Sequence, residues 1–200
     1  MHYCPEIDTA NITAEEWNVV YKHGGYNGEG SGPGSLIENN KLLIQWLQKF
    51  IDRNFIQSIV DVGCGDFQWM PVLLRKFPDI EYIGIDCTQQ LIDSHSKKYP
   101  DYTFACKDIT ANNFEHTGQY DLVLCKDVLQ HSMNNPRSII EPIDNINSKY
   151  KILITPAGGP GAGSNIKSSF KTYSWITDYQ SDEEKSIYIL TDYASYISAF

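Results

Sequence analysis

The stretch Ser58-Ile59-Val60-Asp61-Val62-Gly63-Cys64-Gly65-Asp66-Phe67 constrains this chain more than any other. A short β-branched run ends at an acid, a Gly-x-Gly turn follows, and an amphipathic segment follows the turn. That order is strand, tight turn, helix, the opening unit of a nucleotide-binding α/β sheet. Gly-x-Gly alone says little, because glycine supplies positive φ in many turns. Its flanks and its downstream partner say more. Asp86 closes the next strand-like run, Glu81-Tyr82-Ile83-Gly84-Ile85-Asp86. An acid about 20 residues beyond such a turn is placed to meet ribose hydroxyls.

Charge around the turn selects among nucleotides. A dinucleotide brings a pyrophosphate to the amides and positive dipole end of a helix. Here Gln68 occupies the third glycine position of G-x-G-x-x-G, Asp66 directly follows Gly65, and Asp61 precedes the first glycine. These carboxylates would repel a phosphate. S-adenosylmethionine has no phosphate and carries a sulfonium and an ammonium, so an acidic turn suits it better than it suits NAD.

Asp61-Val62-Gly63-Cys64-Gly65 resembles the first motif of class I S-adenosylmethionine-dependent methyltransferases. Asp86 is similar to the ribose-binding acid after their second strand, and Lys107-Asp108-Ile109 to the acid and apolar pair that flank adenine after the third. Tyr120-Asp121-Leu122-Val123-Leu124-Cys125-Lys126-Asp127-Val128-Leu129-Gln130-His131 resembles their fourth strand and the loop beyond it. The resemblance covers residues 36 to 155, and Phe67 stands where the family motif has its third glycine. It implies an α/β, Rossmann-like methyltransferase fold: a mostly parallel sheet, helices on both faces and an antiparallel edge. It further implies that the turn Gly63-Cys64-Gly65-Asp66 approaches the methionine part of the cofactor, with Asp61 organising its ammonium. Asp86 would take both ribose hydroxyls and Asp108 the adenine amine, with Ile109 and Cys87 beside the ring. Lys126 would also face the cofactor. Lys126, Asp127 and His131 lie where acceptors sit in this family.

Two hundred residues suffice for one domain whose core needs no staples. No apolar run approaches the ~18 residues of a membrane span, and Met1-His2-Tyr3-Cys4-Pro5-Glu6 has no signal-peptide pattern, so a cytoplasmic protein is expected. The net charge of −9 argues against a nucleic-acid partner, whose phosphates ask for a basic face. Lys97-Lys98 reads as a solvated helix face. The five cysteines form no C-x-x-C pair. Cys64, Cys87, Cys106 and Cys125 fall at or near predicted strand ends and read as small buried residues rather than as a metal or redox cluster. No metal is expected, since the short hairpin spacings of zinc sites are absent.

Thr13-Ala14-Glu15-Glu16 has capping-box spacing and predicts a helix to Lys22, stopped by Gly24-Gly25. The run from Gly24 to Gly34 is expected to hold no regular structure. It mixes glycine with Tyr26, Glu29 and Pro33, unlike a Gly/Ser tract, and reads either as a linker or as a lid. Residues 1–35 are thus expected to form a helix and glycine-rich lid, and residues 36–200 the cofactor-binding domain. Ser35-Leu36-Ile37-Glu38 repeats the capping spacing. Leu36, Leu43, Ile44, Leu47, Phe50 and Ile51 then give a helical apolar face, extended by Trp46, that packs on the sheet. A helix over 69–77 begins near Pro71, and Thr88 caps the following one. Thr103–Cys106 is the third strand, Asn135-Pro136 starts a helix kinked by Pro142, and Lys151–Thr155 is the fifth strand. This alternation predicts a parallel sheet with right-handed crossovers. A second glycine-rich loop, 156–164, lacks the Lys-Ser/Thr pair of a P-loop. Segments 170–177 and 185–190, around the acidic turn 181–184, predict the antiparallel edge. The aromatic tail 193–200 has no predicted place.

Methyl transfer requires an acceptor lone pair in line behind the sulfonium methyl, and holding that line is worth on the order of 7–11 kcal/mol. An alcohol must also lose its proton. His131 is the candidate base, or alternatively a histidine that packs the next helix. Gln130 and Asp127 are candidates for positioning, and His23 for entering with the glycine loop. Little sequence lies outside the shared core, which favours a small-molecule acceptor over a protein surface. The glycine-rich loop ahead of the core is similar to that of small methyltransferases of glycan modification, so the acceptor expected is a hydroxyl of a sugar or nucleotide-sugar. Two alternatives stand beside this reading. One is a catalytically inactive methyltransferase-fold binding protein. The other is an NAD(P)-dependent oxidoreductase, against which the acidic turn and the missing third glycine count.

Overall fold

The computed structural model describes residues 7, 10–156, 174–176 and 185–190. The second glycine-rich loop beyond Pro156, the 181–184 turn, the 193–200 tail and Cys4 lie outside the described residues. The helices are α1 (Ala14–Lys22), α2 (Lys41–Asn54), α3 (Met70–Leu74), α4 (Gln89–Lys98) and α5 (Arg137–Asn145). The strands are β1 (Ser58–Val62), β2 (Glu81–Asp86), β3 (Thr103–Cys106), β4 (Tyr120–Lys126), β5 (Ser148–Pro156), β6 (Ser174–Ile176) and β7 (Lys185–Leu190). They form one sheet in the order β3-β2-β1-β4-β5-β7-β6. The first five are parallel, while β7 runs antiparallel between β5 and β6. The chain reverses its direction of travel across the sheet between β1 and β4. That switch point opens a crevice at the carboxyl ends of the strands.

Strands buried on both faces must be apolar on both faces. Ile59 in β1, Tyr82 in β2 and Leu122 and Leu124 in β4 face one helix layer, with Leu43, Leu47, Phe50 and Ile51 of α2 and Leu73 and Leu74 of α3. The alternate residues Val60, Val62, Ile85 and Val123 face the other, with Ile139, Ile140 and Ile143 of α5. Polar bonds are buried in the first layer too, among them that of the Tyr150 hydroxyl, which donates to Asn54 Oδ1 at 3.0 Å.

The capping box at α1 forms as expected: Glu16 N–H donates to Thr13 Oγ1 at 3.2 Å and Thr13 N–H to Glu16 Oε2 at 2.8 Å. The second one does not. The Ser35 hydroxyl lies 2.8 Å from the Gly32 carbonyl and 3.1 Å from Asp66 Oδ2, so it is turned to the glycine turn after β1. α2 therefore starts at Lys41, after a 3-10 turn over Glu38–Asn40, and Leu36 lies outside it. Thr88 stands at the N-cap of α4 but makes no side-chain capping bond. α3 is shorter than its apolar pattern, ending at Leu74, and β5 is longer, starting at Ser148. The glycine run is ordered as well, with 3-10 turns at Tyr26–Gly28 and Pro33–Ser35 and a bridge between Gly25 and Gly30.

Phe67 explains how the third glycine can be absent. Its φ is +57°, the left-handed conformation that glycine would supply, and its ring is 1% exposed. The ring lies against Tyr99, Phe104 and Tyr82 at centroid distances of 4.9, 5.1 and 5.2 Å. A left-handed residue with a Cβ costs about 1–2 kcal/mol, whereas emptying the site of a buried phenylalanine costs about 3–5 kcal/mol. Phe67→Gly is therefore expected to destabilise the fold by about 2 kcal/mol despite restoring the glycine, as read from urea unfolding midpoints.

Candidate cofactor and acceptor site

A cavity opens at the carboxyl ends of β1, β2 and β4. Its wall contains Asp61, Gly63, Cys64, Gly65, Asp66, Asp86, Cys87, Asp108, Ile109, Lys126, Asp127 and His131. The structure thus brings together the residues expected at the cofactor and three of the acceptor candidates, Lys126, Asp127 and His131. His23 and Gln130 do not line it.

The turn after β1 is the floor. Gly63 has φ +79°, and a Cβ there would meet Val128 Cγ2 at 2.3 Å; Gly65 has φ +54°, and a Cβ there would meet Ser31 Oγ at 2.4 Å. Either substitution would strain the backbone and collide. The amides of this turn are already used inside the protein. Gly63 and Cys64 N–H both donate to the Ile85 carbonyl, at 2.8 and 3.0 Å. Gly65 N–H donates to Asp86 Oδ2 at 3.0 Å, Asp66 N–H to Ser31 Oγ at 2.8 Å, and Phe67 N–H to the Cys64 carbonyl at 3.3 Å. α3 starts only at Met70 and has five residues. A pyrophosphate would find neither open amides nor a helix dipole here.

Carboxylates face the cavity instead. Asp61 is 3% exposed, and its Oδ2 accepts from the Tyr82 hydroxyl at 2.7 Å. Burial pushes its carboxyl up to about 7, helped by Asp86 and opposed by the Tyr82 bond and the Lys126 ammonium. Burial also raises Asp86, opposed by backbone N–H donors from Thr88 (2.9 Å) and Gly65. Each oxygen keeps a second lone pair for a ligand hydroxyl. A cationic, phosphate-free ligand with vicinal hydroxyls fits this set of acceptors. Asp108 Oδ1 accepts from Thr110 N–H and Oγ1 at 2.8 and 2.7 Å, which fixes its carboxyl at the far end, near Ile109 and Cys87. Burial raises the Cys64 and Cys87 thiols, the latter to about 12, with Asp86 adding to both. They stay protonated, and among the described residues no group of three or more His, Cys, Asp or Glu is placed to hold a metal ion.

The acceptor side lies past β4. Lys126 Nζ pairs with Asp127 Oδ2 at 2.5 Å and donates to the Gly34 carbonyl at 2.6 Å, with its side chain only 6% exposed. It also lies 5.8 Å from the centre of the Trp69 ring. Asp127 has φ +55°, a conformation aspartate tolerates better than most residues. His131 meets Trp17 edge-on, centroids 4.9 Å apart, and its carbonyl accepts from Ile12 N–H at 3.2 Å.

Trp17, Tyr21, Ser31 and Ser35 also line the cavity. The segment before α2 is thus neither loose linker nor bystander. Asp66 Oδ2 accepts from Ser31 N–H at 2.7 Å, from Gln68 Nε2 at 2.6 Å and from Ser35 Oγ, while Ser31 Oγ bonds the Tyr21 hydroxyl at 2.6 Å. Asp66, expected at the cofactor, spends much of its acceptor capacity on this strap. The i, i+4 aromatic pair Trp17/Tyr21 was the available sequence signal; Ser35 gave a misleading one, and nothing marked His95, whose ring bonds the turn.

Residues 60–147 match a family model described as a methyltransferase domain. Trans-aconitate 2-methyltransferase of Yersinia pseudotuberculosis is 40% identical over 53 residues, which cover 26% of this chain and 20% of that protein. This chain therefore matches only about a fifth of that relative's length. The N-methyltransferase NodS of Bradyrhizobium japonicum WM9, solved with S-adenosyl-L-homocysteine, superposes with a TM-score of 0.56 at 14% identity, over 77% of this chain and 89% of that one. The 16S rRNA methylase RmtB superposes with a TM-score of 0.56 at 16% identity, over 77% of this chain and 63% of that one. Residues 60–147 thus match a methyltransferase domain, on a fold that these solved structures share.

Two tests follow from the geometry. The folded pKa of Asp61 lies above its unfolded value near 3.9, so the native state binds the extra proton. Asp61 thus favours folding below that value, and the contribution is lost as pH rises through about 7. Asp61→Asn should flatten the pH dependence of stability between 4 and 7, and a melting series with the two proteins side by side checks it. Asp66→Ala leaves the donors from Ser31, Ser35 and Gln68 without their shared acceptor. Amide exchange over residues 31–35 should then accelerate at least tenfold, while β1 and β4 keep their protection.

Proposed function

We propose that this chain transfers the methyl group of S-adenosylmethionine to an oxygen of a small molecule, with a sugar or nucleotide-sugar hydroxyl as the first acceptor class. The observation that carries the reading is the inverted polarity of the turn: its amides are satisfied inward while Asp61 and Asp86 face the cavity. When bound, the cofactor supplies an electrophilic methyl on a sulfonium. Asp61 holds the ammonium, Asp86 the ribose hydroxyls and Asp108 the adenine amine, with Ile109 and Cys87 against the ring. Gly63 and Gly65 let the backbone approach. Lys126 and Asp127 orient the acceptor, and His131 takes its proton. The segment up to residue 35 acts as a lid over the domain that follows. The net charge of −9 disfavours a nucleic-acid acceptor, and the free thiols Cys64, Cys87, Cys106 and Cys125 suit a reducing cytoplasm.

A second acceptor class has its own support. The buried ammonium of Lys126 lines the cavity, and a relative matched over a short stretch is named for trans-aconitate. A carboxylate acceptor would pair with Lys126 and need no base.

Calorimetric titration with S-adenosylmethionine, S-adenosylhomocysteine and NAD is expected to show micromolar binding of the first two and none of NAD. Binding of NAD alone would overturn the reading, and binding without turnover of any oxygen acceptor would leave a binding protein. With a hydroxyl acceptor, kcat should rise with pH across the imidazole range near 6.5, and His131→Ala should lower it by about 10²–10⁴. With a carboxylate acceptor that limb is absent and the variant is near wild type.

A further inference from the structure

We propose that His95 is a positioning residue for the cofactor: its Nε2–H fixes the Gly65 carbonyl and so sets the orientation of the turn beneath the methionine end of the ligand. The inference rests on the cofactor reading above. His95 lies in the last turn of α4, is 5% exposed and does not line the cavity. Its Nε2 is 2.7 Å from the Gly65 oxygen. A carbonyl only accepts, so Nε2 carries a proton in this arrangement.

Gly65 needs such a restraint. At φ +54° and without a side chain, the peptide that joins it to Asp66 has little intrinsic resistance to rotation. Two bonds hold it, and a third holds the peptide just before it. Asp86 at the end of β2 takes the Gly65 N–H, Ser31 of the strap takes the Asp66 N–H, and His95 of α4 takes the carbonyl between them. Asp86 and Ser31 are themselves in the cavity wall. His95 is not, so its bond to the carbonyl comes from behind the turn, outside the reach of a ligand. Its ring is kept in place by Phe104 and Phe67, at centroid distances of 5.2 and 5.7 Å, and by Tyr99 at 6.3 Å.

Packing alone and positioning differ in which atom matters. A glutamine amide nitrogen reaches the place of His Nε2, whereas an asparagine amide nitrogen reaches only that of Nδ1. Binding of S-adenosylhomocysteine to wild type, His95→Gln and His95→Asn, each also melted thermally, reads the difference. The expected result is a Kd within about threefold of wild type for the glutamine variant and at least about tenfold weaker for the asparagine variant, with similar melting temperatures. Wild-type affinity in the asparagine variant, or equal losses in both, would overturn the proposal. Nitrogen NMR of the wild-type imidazole supplies a readout independent of any variant. The expected state has a slowly exchanging proton on Nε2; a proton on Nδ1 alone refutes it. Failure of the wild type to bind S-adenosylhomocysteine would instead overturn the cofactor reading, so the two failures are distinguishable.

Discussion

The hydrogen bond from Gly65 N–H to Asp86 Oδ2 ties the end of β2 to the turn after β1, and the chemistry of the cavity depends on it. It does two jobs at once. It fills an amide that would otherwise attract an anion, and it holds a carboxylate at the cavity wall against the desolvation that raises its pKa. Neighbouring amides of the turn are filled in the same way, by Ile85, Ser31 and Cys64. A glycine-rich turn at the head of a Rossmann-like sheet usually offers its amides outward. Here they are satisfied from within, and acids rather than amides meet the cavity without any change of fold.

A wall of buried carboxylates needs a counterweight. Asp61 and Asp86 are joined in the cavity by one buried ammonium, that of Lys126, and its attraction lowers the cost of ionising Asp61. Lys126 is in turn divided between Asp127 and the Gly34 carbonyl. The glycine-rich segment is thus bonded to both sides of the site: through Gly34 to the end of β4, and through Ser31 and Ser35 to Asp66 at the end of β1. Loops rich in glycine carry a high entropy cost of ordering. These charge-assisted bonds, stronger than neutral ones, are what offset it.

The sheet was legible because parallel strands buried on both faces leave a simple record: apolar runs such as 58–62 and 120–126, each ending at a glycine or an acid. The acids of the cavity wall were legible for the same reason, since Asp61 lies near the end of such a run, Asp86 ends one and Asp108 follows one. What failed were readings that tertiary contacts override. Ser35 has the spacing of a helix cap, yet Asp66 offers it a better partner across the site. Phe67 lacks the freedom of the glycine it replaces, but its aromatic cluster holds it in the same conformation. His95 left no trace in any local pattern. Its role depends on α4 returning beside the turn, thirty residues away in sequence.

The division between legible and illegible residues also marks a division of labour. NodS and RmtB superpose on this chain at 14% and 16% identity, yet one is named for N-methylation and the other for 16S rRNA. A shared sheet therefore leaves the acceptor open. In this chain the parts of the cavity wall outside the strand ends and their turns come from two places. One is Ile12 to Ser35, the other Val128 to Ile139. They are stitched to each other, with Ile12 N–H donating to the His131 carbonyl, Met133 N–H to Ala10 and Asn134 N–H to Asn11 Oδ1 at 2.7 Å. Trp17 on the first segment then meets His131 on the second. Gly63, Cys64 and Gly65 of the turn are anchored to β2 and α4, whereas Asp66 is tied to the first segment through Ser31 and Ser35.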